Sequence, residues 1–212
     1  MSYAIKEIFY TLQGEGAQTG RASVFCRFAG CNLWSGREED RAAAVCQFCD
    51  TDFVGVAGPD GGRFDSAEEL ANRIDATWQA GSSAGTKFVV CTGGEPLLQL
   101  DRLMIDALHA RDFEVAVETN GTIAAPHGID WLCVSPKAGA ALVQTTGDEL
   151  KLVYPQVGAP PDNFTNLAFR HFFLQPMDGP LKQDNTDRAL RYCLDNPAWR
   201  LSLQTHKFLG IR

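Results

Sequence analysis

The sequence predicts an α/β fold, an incomplete TIM-type barrel of parallel strands with helices around them. Three observations predict it. Several segments of strand length are almost continuously apolar, which marks strands buried on both faces of a parallel sheet. Helical periodicities alternate with them. Polar or glycine-rich groups follow the strands at Thr92-Gly93-Gly94-Glu95, Glu118-Thr119-Asn120, Ser135-Pro136-Lys137 and Gln175-Pro176-Met177-Asp178, where such folds place their ligands. With 212 residues the chain is short for a closed eight-stranded barrel, and it reads as one domain over 1–212.

The elements follow in order. SVFCRFAG (23–30) reads as a strand, with Val24, Cys26 and Phe28 on one face and Phe25, Arg27 and Ala29 on the other. GVAGPDGGRF (55–64) carries glycine and proline punctuation and reads as a loop. Ser66 and Glu69 form a capping box. Ala67, Leu70, Ala71, Ile74 and Trp78 then repeat at helical spacing over 67–79. KFVVCTGGEP (87–96) is a buried strand running into a Gly-Gly turn, and Leu100, Leu103, Met104, Ala107 and Leu108 mark the next helix. EVAVETNG (114–121), WLCVSPK (131–137), ELKLVYP (149–155) and RHFFLQPMDGP (170–180) are further strands with their turns. A helix near 185–195 and the segment RLSLQTHKFLG (200–210) complete the chain.

Composition narrows the function. Apolar residues make up 45%, enough for a sizeable core. With 19 basic and 26 acidic side chains the net charge is −7, which argues against direct nucleic-acid binding. The start, MSYAIKEIFYTLQGEG, has no apolar signal region, and no run of 18 apolar residues would span a membrane. A cytoplasmic protein is expected. Seven cysteines, an odd number, fit poorly with a disulfide framework in that compartment.

Three of those cysteines lie in CNLWSGREEDRAAAVCQFCDTD (31–52): Cys31, and Cys46 with Cys49 in a C-x-x-C. Thiolates favour zinc or iron–sulfur clusters. A structural zinc needs four ligands, and Cys26 would complete C-x4-C-x14-C-x2-C. A four-iron, four-sulfur cluster held by three cysteines would instead leave one iron open for a small molecule. Both readings stand on the residues alone. Cys91, Cys133 and Cys193 sit in apolar strands or a helix and read as core. TGGEP (92–96) follows a buried strand. Its glycines allow close backbone approach to a ligand, and Glu95 adds an acceptor for a ligand amine.

Together these motifs resemble the radical S-adenosylmethionine (SAM) enzymes and, within them, the 7-carboxy-7-deazaguanine synthase family. The resemblance rests on TLQGEGAQTGRASVFCRFAGCNLW (11–34), VCQFCDTDF (45–53), VVCTGGEPLLQ (89–99), VETNGT (117–122), VSPK (134–137), ELKLV (149–153), LQPMDG (174–179) and SLQTHKFLGI (202–211), nearly the whole chain. One departure stands out. Most radical SAM enzymes use C-x3-C-x2-C, whereas the first gap here is 14 residues, an insertion at 32–45. Its Trp34 and Arg37 are candidates to cover the cluster or meet an electron donor.

The resemblance implies conversion of 6-carboxy-5,6,7,8-tetrahydropterin to 7-carboxy-7-deazaguanine and ammonia, on the route to queuosine. It implies reductive cleavage of SAM to a 5′-deoxyadenosyl radical, hydrogen abstraction at C6 of the pterin, and regeneration of SAM. Cys31, Cys46 and Cys49 would bind the [4Fe-4S] cluster. Phe48, Cys49, Asp50, Gly94, Glu95, Ser135, Pro136, Lys137 and Gln175, Pro176, Met177 and Asp178 would contact SAM. Leu12, Gln13, Gly14, Glu15, Arg27, Thr92, His206 and Arg212 would contact the substrate. Arg27 is the expected partner of its carboxylate, since a buried charge needs one. Thr51 would be the protein ligand of a Mg2+ that keeps waters and shares the substrate. Asp50 and Asp52 beside it read otherwise as solvated surface. A flavodoxin or ferredoxin reductant and a homodimer are the partners implied. The other readings to exclude are a radical SAM activase acting on a protein and a zinc-stabilised binding module.

Overall fold

Residues 2–81 and 84–212 are described by a computed structural model. The apolar runs form the centre of one nine-stranded sheet in the order β3-β1-β2-β4-β5-β6-β7-β8-β9. The strands are β1 (Tyr3–Leu12), β2 (Ala22–Phe28), β3 (Gly62–Phe64), β4 (Lys87–Gly93), β5 (Phe113–Thr119), β6 (Trp131–Val134), β7 (Thr146–Tyr154), β8 (Ala168–Pro176) and β9 (Trp199–Leu201). From β2 through β9 the neighbours are parallel, and β1 runs antiparallel to β2 and β3. The edge strands β3 and β9 do not pair, so the barrel stays incomplete, as expected. The helices are α1 (Ala67–Gly81), α2 (Arg102–His109), α3 (Lys182–Asp195) and α4 (Thr205–Leu209).

Alternation along the strands separates two environments. Val24, Cys26 and Phe28 of β2, with Val89, Cys91, Val115, Val117, Val134, Leu150 and Leu152, join Leu70, Ile74, Met104 and Leu108 in the main core. That core is the interface between sheet and helices. On the other face, Phe25, Phe88, Val90, Ala116 and Trp131 form a smaller apolar floor. Beyond this floor, toward the C-terminal strand ends, the inward positions turn polar: Arg27, Thr92, Glu118 and Lys151. In-register pairing of Cys26 with Cys91 and of Arg27 with Thr92 fixes which residue of each pair faces which side.

The differences from the sequence reading have local causes. The N-terminal segment, which shows no clean alternation, is the ten-residue strand β1. Its register with β2 shifts between Ile5 and Glu7, and a bulge there breaks the period-two pattern. Within the loop expected over 55–64, Gly62–Phe64 pairs with β1 as the edge strand β3. Leu103, assigned to the buried stripe, is 63% exposed. The helix begins only at Arg102, with Asp101 as N-cap, and that phase turns Leu103 outward. Strand β6 stops at Val134, so Ser135, Pro136 and Lys137 form the turn beyond it. Cys91 and Cys133 are buried as expected, whereas Cys193 is only partly so. The capping box at α1 is real but shifted: Ser66 Oγ accepts from Glu69 N at 3.2 Å, and the Glu69 carboxylate accepts from Asp65 N at 2.9 Å.

Asp101 ties the N-terminal strand to the helix layer. Its Oδ1 accepts from Met104 N at 3.0 Å and from the hydroxyl of Tyr3, which is 1% exposed, at 2.8 Å. Replacing Asp101 with Ala removes the cap and strands a buried hydroxyl, a loss of about 1–3 kcal/mol. Tyr3→Phe should cost about 1 kcal/mol. In urea unfolding the double variant should lose less than the sum of the two, because both changes remove one shared bond.

Candidate active site

The polar strand ends surround one cavity of about 490 Å³. Its wall nearest the chain start is the strip after β1. Gln13 Nε2 donates to Glu118 Oε1 at 3.0 Å, and the Gln13 side-chain oxygen accepts from Glu15 N at 3.1 Å. Gly16 N donates to Ser202 Oγ at 2.9 Å, and Ala17 N to Glu149 Oε2 at 2.8 Å. The strip therefore crosses from the β1 edge to β7 and the segment after β9. Its glycines are steric requirements. A Cβ on Gly14 would strike the His206 ring, and one on Gly16, at φ +65°, would strike the Glu149 carboxylate.

Cys31, Cys46 and Cys49 line the same cavity. The loop that carries them is closed at its base by Gly30 N donating to Phe53 O at 3.2 Å. Inside the insertion, Glu38–Ala43 form a 3-10 turn. Trp34 is buried, edge-on to Phe53 at 5.6 Å, and its Nε1 donates to Arg37 O at 3.1 Å. The Arg37 side chain is 70% exposed. Arg41, to which the sequence drew no attention, does more. Its guanidinium lies 4.0 Å from the Trp34 ring centre and donates to Gln47 O at 2.9 Å and Cys49 O at 3.0 Å. The insertion thus braces the C-x-x-C backbone.

Cys26 takes no part. It is fully buried in the helix-side core, on the face of β2 opposite the cavity. The expected alternative of a four-thiolate zinc fails on that geometry. Among the described residues no three His, Cys, Asp or Glu side chains could hold a single metal ion. A polynuclear cluster differs, because each thiolate bonds its own iron and the sulfurs stay apart. The thiol chemistry suits such a group. A hydrogen bond from Cys46 draws the Cys49 thiol down to about 6 against the opposing effect of burial, and the same bond and burial push Cys46 up. Burial raises Cys31. Lys137 stands beside the pair. Burial lowers its ammonium, while the Cys46 and Cys49 sulfurs oppose that shift.

The Gly-Gly turn has a use the sequence did not disclose. A Cβ on Gly93, at φ +152°, would strike Phe28 O, and one on Gly94 would strike Gly30 O and sit 2.8 Å from Cys31 Cβ. Gly94 N donates to Phe28 O at 3.3 Å and Glu95 N to Gly30 O at 2.9 Å. The glycines let β4 close on the chain that presents Cys31. Glu95 does not line the cavity. It is fully buried, and its carboxylate accepts from Leu97 N at 3.0 Å, Thr119 Oγ1 at 2.8 Å and Asn120 N at 2.7 Å. It therefore holds the end of β5 and has no free edge for a ligand amine. Pro136 is also absent from the lining, whereas Ser135 and Lys137 contribute to it.

The other expected residues converge. Leu12, Gly14, Glu15, Phe48, Asp50, Thr51, Thr92, Gly94, Gln175, Pro176, Met177, Asp178, His206 and Arg212 all face the cavity. Arg27 does too, but it already has a partner, since its Nε donates to Glu7 Oε1 at 2.9 Å. Arg212 donates to the other oxygen of Glu7 at 3.0 Å, and Arg212 O accepts from Thr11 Oγ1 at 2.8 Å. The chain end is folded back onto β1. Asp50 and Asp52 are not simply solvated. Lys207 Nζ lies 2.6 Å from Asp50 and also meets Asp178, and Lys6 Nζ lies 2.8 Å from Asp52.

Two residues with no expected role dominate the far wall. Lys151, 3% exposed, donates to Glu15 Oε2 at 2.6 Å and to Glu118 Oε2. Burial would raise the Glu15 carboxyl, but Lys151, helped by Gln204 and His206, outweighs it and holds Glu15 at about 2. A charge on the inward face of an apolar strand is the signal that singled out Arg27. ELKLV and EVAVET carry the same signal at Lys151 and Glu118. The cavity is consequently polarised. On the β1–β2 side two guanidiniums share one carboxylate, Glu7, and on the β5–β7 side two carboxylates share one ammonium.

Two substitutions test this arrangement. Gly94→Ala should displace Cys31 and lower iron and sulfide per chain after anaerobic reconstitution, with far-ultraviolet circular dichroism unchanged. Cys26→Ala should load iron like the parent, whereas alanine at Cys31, Cys46 or Cys49 should abolish it. Zinc in the parent, lost on Cys26→Ala, would restore the four-thiolate reading.

Known proteins agree with this geometry. Residues 41–150 match the family model of the Radical SAM superfamily. The 7-carboxy-7-deazaguanine synthase of Bradyrhizobium diazoefficiens is 68% identical over 212 residues, with all of both chains covered. That of Caulobacter vibrioides is 64% identical over 211 residues, again with full coverage. The crystal structure of QueE from Escherichia coli superposes with a TM-score of 0.69 at 27% identity, covering 96% of this chain and 94% of that one. The chain belongs to the 7-carboxy-7-deazaguanine synthase family of the Radical SAM superfamily.

Proposed function

We propose that this chain is a radical SAM lyase that converts 6-carboxy-5,6,7,8-tetrahydropterin to 7-carboxy-7-deazaguanine and ammonia, in 7-deazapurine (queuosine) synthesis. The observation that carries the reading is one cavity with three thiols at one wall and opposite charge excesses at two others. When bound, the [4Fe-4S] cluster and SAM supply the one-electron chemistry that starts hydrogen abstraction. Cys31, Cys46 and Cys49 hold the cluster. Phe48, Asp50 and the turns Ser135–Lys137 and Gln175–Asp178 hold SAM beside it, with Gly94 giving room and Glu95 fixing the strand end. Arg27 and the terminal Arg212 attract the substrate carboxylate. Leu12, Gln13, Gly14 and Glu15, with Thr92 and His206, place its donor-rich pyrimidine edge on the other side. A carboxylate and an N–H-rich ring suit this polarised cavity better than the side chain of a protein substrate does.

Thr51 lines the cavity and offers one hydroxyl to Mg2+, which would complete its shell with waters and substrate oxygens. A flavodoxin or ferredoxin would supply the electron, and a homodimer in the cytoplasm completes the reading. Among the described residues no helix is long and apolar enough to cross a membrane.

The test is anaerobic reconstitution with iron and sulfide, then incubation with the pterin, SAM, magnesium and a reductant. Mass spectrometry should find 7-carboxy-7-deazaguanine, absent with Cys31→Ala and diminished without magnesium. A loaded enzyme that cleaves SAM yet leaves the pterin intact would move the substrate elsewhere.

A further inference from the structure

The side chain of Lys151 projects from β7 into the barrel, where it is 3% exposed and lines the cavity. Its ammonium bonds one oxygen of Glu15, at 2.6 Å, and one of Glu118. The second oxygens are held by neutral amides, Glu15 Oε1 by Gln204 Nε2 at 3.1 Å and Glu118 Oε1 by Gln13 Nε2 at 3.0 Å. The four oxygens thus accept from three side chains, and a carboxylate oxygen can accept more than one bond. Two carboxylates this close would otherwise share a proton, since both cannot ionise cheaply in a buried site. A shared proton would turn one acceptor into a donor.

We propose, resting on the pterin reading above, that Lys151 is a specificity-determining positioning residue that keeps Glu15 and Glu118 both as acceptors. The wall then selects a ring edge made of adjacent N–H donors, such as the 2-amino group and ring N–H of a 2-amino-4-oxopyrimidine. It rejects the same ring with oxygen in place of the 2-amino group. The groups facing this wall come from every neighbouring element. They are Glu149 on β7, Cys133 on β6, Lys137 after β6, and His206 on α4.

Three proteins decide it: the parent, Lys151→Met and Lys151→Arg. Each is assayed across about pH 5–8 with the tetrahydropterin substrate and with its 2-oxo (lumazine-type) analogue. The parent should discriminate strongly, with a KM insensitive to Glu15, whose carboxyl lies at about 2. In Lys151→Met, burial without its counter-charge raises a carboxyl toward neutrality. The KM for the pterin should therefore rise on the order of ten- to a hundredfold. It should worsen as pH falls and recover as pH rises, while discrimination against the 2-oxo analogue narrows. Lys151→Arg should restore much of the parent profile. Iron content and SAM affinity should be retained in both variants. His206 titrates in all three proteins, so the difference between profiles isolates the acid wall. A Lys151→Met enzyme with parental KM, pH profile and discrimination would overturn the inference. So would equal loss of iron in both variants, which would make the residue merely structural. A parent that cleaves SAM but never turns over the pterin would overturn the functional reading, and this inference with it.

Discussion

A lysine ammonium buried inside a sheet has to be neutralised, and the architecture of this site is organised around doing so. Lys151 lies on an inward position of β7, flanked by core residues Leu150 and Leu152 that face the helices. Its counter-charges come from Glu15, before β2, and Glu118, at the end of β5. Meeting that demand draws the Gln13–Ala17 strip across the open side of the barrel. Ser202 and Glu149 then receive its backbone N–H groups. A buried ion cluster of this kind contributes little net stability, because desolvation offsets most of the attraction. What it supplies is geometry: a fixed wall of oriented carboxylates.

The thiol wall depends on a different constraint, close backbone approach. Strand β4 can meet the chain beyond β2 only because Gly93 and Gly94 lack side chains. The hydrogen bonds from Gly94 and Glu95 to Phe28 and Gly30 then set where Cys31 begins. Glu95 completes the same arrangement from below by holding Thr119 and Asn120. The motif that most suggests a ligand cradle is therefore first a packing device, through which the cluster loop is aimed. Arg41 serves the second half of that loop in the same way, with its stem on Trp34 and its donors on the carbonyls of Gln47 and Cys49.

The C-terminal segment closes the third side. Thr205 donates to Gly14 O through both its backbone N–H and its hydroxyl, at 3.0 and 2.9 Å. Lys207 links Asp50 of the cluster loop to Asp178 of the turn after β8. Arg212 returns to Glu7. One short segment thus touches the cysteine loop, the strip and the first strand. Where the polarity of the cavity is set, the participants come from the two ends of the chain and from its middle.

The sequence by itself determined the fold class, the parallel strands, the three cysteines and most of the residues that gather at the cavity. It could do so because these follow from local period, from thiol chemistry and from the position of polar groups at strand ends. The bulged strand β1 and the edge strand β3 escaped it, since a register shift erases alternation and a three-residue strand has none to show. Only the tertiary structure decided which charges meet. Arg27 and Lys151 are each conspicuous as charges in apolar strands, but their partners Glu7, Glu15 and Glu118 are chosen by strand order and register. It likewise decided that Cys26 faces away from the other thiols and that Glu95 is consumed by backbone and hydroxyl donors. Pairing across a sheet is a long-range property, set by topology, and no spacing along the chain encodes it.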